Sequence, residues 1–170
     1  MKNVVVAMLI IIASVCLCVA CGTSGDNQYL RIHIRANSNS YLDQEVKYKV
    51  KDKVVDYLTP ILAECDSYDS VVEAVNSHKT NLEKVCDDVL MQEGFDYTSS
   101  VEINNEYFPT RTYENFTLGA DFYNALIIKL GEGVGDNWWC VVYPPLCFKD
   151  TNNIVYKSKI MEIIQKVFNV

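Results

Sequence analysis

Residues 29–62 read YLRIHIRANSNSYLDQEVKYKVKDKVVDYLTPIL, and a change of period inside this stretch sets the fold class. From Tyr29 to Ala36 apolar and polar residues alternate. Leu30, Ile32 and Ile34 face one way, and Arg31, His33 and Arg35 the other. Successive side chains on a strand point to opposite faces, so this is the pattern of a half-buried strand. Asn37-Ser38-Asn39-Ser40 breaks it. Ser40, with Asp43 three residues on, has the form of a helix N-terminus. Val46, Val50, Val54, Tyr57, Leu58, Ile61 and Leu62 then recur at helical spacing, with Lys47, Lys49, Lys51 and Lys53 interleaved on the polar side. Pro60 is expected to bend or end this helix.

Downstream, a second helix is expected from Ser67, with Val71, Val72, Val75, Leu82, Val85, Val89 and Leu90 as its apolar stripe and Gly94 just past its end. From Phe95 the texture turns to β. Tyr97–Tyr107 is rich in β-branched and aromatic residues, with Asn104-Asn105 as a candidate turn. Residues 108–113 read as extended chain or loop. Phe122–Leu130 fits a strand or a third helix, and its Ala-Leu-Ile-Ile centre does not decide between them. Trp138–Tyr143 reads as a strand, and Ile154–Phe168 as a final, weakly amphipathic helix. The fold class is α+β: a mainly antiparallel sheet with two long N-terminal helices and a C-terminal helix packed on one face.

The N-terminus carries a different signal. Val4–Ala20 is an uncharged apolar run behind Lys2, the pattern of an export signal. Leu17-Cys18-Val19-Ala20-Cys21 resembles a bacterial lipobox, which makes Cys21 the lipidation candidate. An uncleaved anchor and a simply cleaved signal are the alternatives. Each places the remaining chain outside the cytoplasm. The expected organisation is residues 1–21 as signal or membrane anchor, 22–28 as a tether and 29–170 as one exported domain. The net charge of −7 argues against a nucleic-acid partner.

Of 7 cysteines, Cys65, Cys86, Cys140 and Cys147 lie beyond the apolar run. An even set in an exported domain suggests disulfides. Cys140–Cys147 is the favoured pair, because it closes the Pro144-Pro145 loop. Cys65 and Cys86 either pair or are buried thiols. No CxxC or paired-histidine spacing suggests a metal site.

The segment GEGVGDNWWCVVYPPLCF, residues 131–148, concentrates scarce residue types. On a strand Trp138 and Trp139 face opposite ways; either one is core and the other lies in a groove or at the surface, or both are buried, the second under the C-terminal helix. The glycine run lacks the GK[ST] of a phosphate loop and suits a tight strand connection. Asn37, Ser38, Asp43 and Gln44 are either cap and turn residues or partner contacts. Arg111, on a loop, is an interface candidate. His33, on the polar side of its strand, is placed to reach a site, whereas His78 suits a half-buried helix position.

Three blocks carry a resemblance. They are Leu30–Ile34 with Ala36-Asn37-Ser38, Asp43-Gln44, Lys47 and Asp52; Phe108-Pro109-Thr110-Arg111 with Tyr113; and Gly119, Tyr123, Ala125-Leu126, Gly131-Glu132-Gly133, Gly135, Asn137–Val141 and Pro144–Phe148. Together they resemble the stage II sporulation protein R family. The resemblance implies a protein exported from the forespore into the space between forespore and mother-cell membranes. There it would activate a membrane-embedded aspartic protease that processes the precursor of the early mother-cell sigma factor. It implies no catalysis, cofactor, metal or small-molecule substrate. The expected partner-binding residues are Arg111, Asn137, Trp138, Trp139, Pro144, Pro145, Asn37, Ser38 and His33. Two alternatives stand beside this reading: an exported cysteine-dependent cell-wall hydrolase using Cys140 with His33, and a ligand-binding lipoprotein.

Overall fold

A computed structural model describes residues 29–113 and 116–147. The expected anchor and tether with Cys21, and the expected C-terminal helix, lie outside the described residues. The elements are β1 (Leu30–Arg35), α1 (Tyr41–Leu62), α2 (Tyr68–Ser77), α3 (Lys79–Gln92), β2 (Ser99–Phe108), β3 (Arg111–Tyr113), β4 (Phe116–Leu118), β5 (Asp121–Leu130) and β6 (Asn137–Tyr143). Among the described residues they form a four-stranded sheet in the order β2-β5-β1-β6 and a two-stranded hairpin, β3-β4. Every pairing is antiparallel except β1 with β5, so the sheet is mixed and the α+β class holds.

The helices begin where side chains supply caps. Ser40 Oγ accepts from Asp43 N at 3.1 Å, and Ser67 with Ser70 forms a reciprocal capping box. Pro60 sits inside α1 without ending it, two residues before the last turn closes at Leu62. The expected second helix occupies its span but is divided at His78, which ends α2 and precedes α3. Tyr57 OH meets His78 Nδ1 at 2.6 Å and ties this joint to α1. The stripe Val71, Val75, Leu82, Cys86, Val89 runs through the joint in phase and stays buried, so periodicity alone does not expose the break.

The undecided segment 122–130 is strand. β5 lies between β2 and β1, and Ala125–Ile128 are buried consecutively, as in a strand covered on both faces. Asn104 and Asn105 make no turn; β2 continues through them, paired with Ala125 and Asn124. The outer edge of β2 is closed at its start by α3: Asp87 Oδ1 accepts from Ser99 N at 2.6 Å and Glu83 Oε1 from Val101 N at 3.0 Å. Those contacts occupy amides that would otherwise template another strand.

The half-buried reading of β1 needs correction, because both faces are covered. Leu30, Ile32 and Ile34 join Leu126, Ile128, Leu130 and Val142 beneath Val46, Val50, Val54, Leu58, Leu82 and Cys86 of the helices. Arg31 and His33, on the other face, are also 0% exposed. The cover is the far half of the β2-β5 ribbon. Phe108 pairs with Asp121, six positions ahead of Ile127, the β5 neighbour of His33. In a flat sheet that offset is roughly 20 Å. The Phe108 ring instead lies 5.3 Å from His33 and 4.8 Å from Trp139, centroid to centroid. The ribbon therefore rolls over the face away from the helices. It makes a second core of Phe108, Leu118, Tyr123, Ala125, Ile127 and Val141. Among the described residues no helix is long and apolar enough to cross a membrane.

Candidate partner-binding surface

Two loops meet beyond the end of β1. Asn37 Oδ1 accepts from Glu132 N at 2.9 Å, Asn39 Oδ1 from Asp136 N at 2.6 Å, and Ala36 O from Gly135 N at 2.9 Å. The approach is too close for side chains in the glycine run. A Cβ on Gly131, at φ +56°, would lie 2.3 Å from Asn37 Oδ1, and one on Gly135 would lie 2.2 Å from the Ser38 carbonyl oxygen.

Asp43 anchors the clasp from α1. It accepts from Asn37 Nδ2 at 3.2 Å, from Tyr97 OH at 2.6 Å and from Ser38 Oγ. Burial pushes its carboxyl pKa up, but the hydrogen bonds from Ser38, Tyr97, Asn37 and Ser40 outweigh that and hold it below the ordinary value. Lys47, 1% exposed, donates to Gln44 Oε1 at 2.6 Å and to Asp136 O at 2.9 Å. Burial lowers its pKa, with Asp136 in partial opposition. The polar atoms of Asn37, Ser38, Asp43 and Gln44 are thus engaged within the clasp.

The second face carries the chemistry that the clasp does not. Paired residues of neighbouring strands share a face. The register therefore sets Arg31, His33 and Arg35 beside Val141, Trp139 and Asn137. Arg31 is sheathed by aromatic rings, its guanidinium carbon 4.2 Å from the Phe108 centroid and 4.9 Å from that of Tyr123. It donates through Nη2 to Tyr113 OH at 2.7 Å, while Nε and Nη1 have no partner among the described residues. His33 stacks on Trp139 at 4.8 Å, and its Nε2 lies 2.6 Å from Glu106 Oε2. The other oxygen of Glu106 pairs with Arg35. Burial lowers the His33 pKa, Glu106 opposes, and Arg35 and Lys129 add to the lowering, leaving it at about 4. The imidazole is neutral at pH 7.

At the rim of this face, exposed Arg111 on β3 places its guanidinium carbon 5.5 Å from the Trp139 ring centroid. Asn137, half-buried, follows along β6 on the same face, and its Oδ1 has no partner among the described residues. Arg111, Trp139 and Asn137 therefore come together. Other expected contacts do not join them. Trp138 turns to the helix side and packs on that core. His33 is enclosed beneath Trp139, and Pro144 and Pro145 are buried at the opposite end of β6. The roll of the ribbon and the folding-in of the proline turn remove these three from the surface.

Cys140 and Cys147 are disulfide-bonded, with Cα atoms 6.3 Å apart, and close the turn that holds the cis Tyr143-Pro144 peptide. Cys140 pairs with Ile32 in register and lies in the helix-side core, across the sheet from His33. A Cys140–His33 nucleophile pair is incompatible with that arrangement. Cys65 is buried, with its Sγ 3.5 Å from the Ile61 carbonyl oxygen, and Cys86 is a buried thiol whose pKa burial raises to about 12. Among the described residues no cluster of His, Cys, Asp or Glu is placed to hold a metal ion. Sequence reasoning missed Glu106 and gave Phe108 only as a member of a resemblance block; their contacts exist because the ribbon rolls, which no local pattern marks.

The residue blocks noted in the sequence therefore build the clasp and the rim of the second face. The family model for stage II sporulation protein R matches residues 26–153. The chain belongs to the stage II sporulation protein R family. It is 35% identical over 127 residues to the stage II sporulation protein R of Bacillus subtilis (strain 168). That match covers 75% of this chain and 57% of the relative, so the chain spans little more than half the relative's length. No solved structure matches. The resemblance noted from the sequence is thus a family membership.

Proposed function

We propose that this protein is an exported sporulation signal. It binds the extracytoplasmic face of a membrane-embedded aspartic protease and shifts it to the active state, so that the protease matures the precursor of an early mother-cell sigma factor. The protein makes and breaks no bond itself. Activation requires only that it bind the active form of the protease more tightly than the inactive form; a shift from mostly inactive to mostly active asks for roughly 10⁴-fold preference. Family membership carries this reading. The apolar N-terminal run of the sequence and the exposed Arg111 over the Trp139 ring support it. An Arg on an aromatic plate is a favoured anchor at protein interfaces.

The test is made in sporulating cells that lack their own copy of the gene. Expression of this chain should restore sigma-factor maturation, and an Arg111→Ala, Asn137→Ala double variant that accumulates to the same level should not. Full maturation by the double variant removes the proposed surface. Normal maturation with no copy present removes the signalling role.

A further inference from the structure

We propose that the rim formed by Arg111 and Trp139 receives a carboxylate side chain from an acidic segment of the partner protein. The inference rests on the signalling reading only for which protein supplies that acid.

The argument starts from charge. The chain has a net charge of −7, yet two of its three arginines, Arg31 and Arg35, lie on one face of the four-stranded sheet, and the third, Arg111 on the β3-β4 hairpin, meets Trp139 of that same face. Lys129 lies there too and is matched by Glu102 at 2.9 Å. Arg35 is matched by Glu106. Asp121, at the far end of the ribbon, turns its Oδ1 to the amide of Phe122 at 2.8 Å. Among the described residues no carboxylate pairs with either the enclosed Arg31 or the exposed Arg111. The face is therefore locally cationic on an acidic protein. Its buried guanidinium acts through a medium that screens poorly, which raises the potential felt at the rim.

Geometry selects the ligand. The Arg111 guanidinium carbon lies over the Trp139 ring at 5.5 Å from its centroid, and its planar fork of N–H donors has no carboxylate partner among the described residues. That fork matches a carboxylate through two parallel hydrogen bonds. The indole supplies an apolar wall for the methylenes of an Asp or Glu. A polyphosphate or nucleic acid needs several exposed cations in a row and a surface that does not repel it. Here a single exposed arginine sits on a chain of net charge −7. One carboxylate on a protein segment fits both facts.

The experiment uses the full chain in detergent and its tryptophan fluorescence; Trp139 stacks beneath the site and Trp138 lies on the far face. The probes are a capped Gly-Asp-Glu-Asp-Gly peptide, its Gly-Asn-Gln-Asn-Gly counterpart and inorganic pyrophosphate. The acidic peptide should titrate the signal to saturation and weaken with added salt, and the amide peptide should not titrate it. Arg111→Gln should lower affinity about tenfold or more, and Arg111→Lys should recover little of it. Arg111 is exposed, so neither variant disturbs a core. The inference is overturned if Arg111→Gln binds the acidic peptide as the wild type does, if the amide peptide binds equally, if pyrophosphate titrates the site and the peptide does not, or if no probe saturates. The titration contains no protease and no cells, so its failure leaves the signalling reading standing, and failure of that reading leaves the titration's result intact.

Discussion

Replacing Asp43 with Asn changes almost no volume and removes one charge from the clasp that joins the two loops beyond β1. Asp43 is 6% exposed and takes hydrogen bonds from Asn37 Nδ2, Ser38 Oγ and Tyr97 OH. Asn keeps one oxygen, enough for Tyr97. Its amide nitrogen then faces the amide nitrogen of Asn37, two donors in contact, while the Ser38 hydroxyl can turn to accept. Hydrogen bonds to a charged group contribute about 1.5–3 kcal/mol each. One lost, one weakened and one left intact give a loss of about 2–4 kcal/mol, a large share of the ~5–15 kcal/mol that holds a typical domain folded. Urea unfolding followed by circular dichroism should show a lower midpoint for Asp43→Asn with an unchanged slope. The folded-state pKa of Asp43 is held below its ordinary value of 3.8. Its stabilisation is therefore complete above the unfolded pKa and is lost as pH falls through the folded one. The gap between wild type and variant should be flat at neutral pH and close below about pH 4. Equal midpoints at pH 7, or a gap that persists unchanged into strong acid, would refute the reasoning. A loosened clasp also releases the chain entering β6 at Asn137, so the variant should bind the acidic peptide more weakly even where it remains folded.

Gly135→Ala should destabilise by about 1–3 kcal/mol, since its new Cβ meets backbone rather than a movable side chain; Gly119→Ala, with nothing within 4 Å, is the matched control, and thermal unfolding compares the two. Arg31→Met should leave stability within about 1 kcal/mol of wild type or raise it, because an incompletely paired buried cation is exchanged for apolar volume, whereas Arg31→Ala should cost about 2–5 kcal/mol through the cavity it leaves; denaturant midpoints that rank the two the other way contradict the aromatic sheath. His33 faces Glu106, Arg35 and Lys129 and has a folded pKa of about 4 against an ordinary 6.5. Its contribution is therefore present above pH 6.5 and declines toward pH 4. His33→Gln should flatten the acid side of the stability profile across that window, and an unchanged slope in denaturant titrations counts against a buried neutral imidazole.

Much of this protein is legible locally. The alternation in residues 30–34 marks β1, the Ser40–Asp43 cap and the valine repeat mark α1, and the short spacing of Cys140 and Cys147 around two prolines marks their disulfide. Those signals depend on neighbours in the chain, where backbone geometry imposes its periods of 2 and 3.6 residues. The break at His78 left no trace, because the apolar stripe stays in phase through it. Residues 125–128 gave no period at all, because a strand covered on both faces has no polar side to alternate with.

The site divides along the same line. The residue blocks singled out Arg111, Asn137 and the tryptophans as candidate contacts. Which of them meet was not. Alternation along β1 fixed that Arg31 and His33 share a face, but it carries no information on whether that face sees water. The answer came from residues 104–108 and 121–124, distant in sequence, rolling over it. The sequence by itself determined β1, the start of α1, the disulfide and the family, because local periodicity, close spacing and compact residue blocks decide those. Only the tertiary structure decided that His33 and the prolines are enclosed while Arg111 stays exposed beside Trp139, because burial is set by contacts between segments whose pairing no local period encodes.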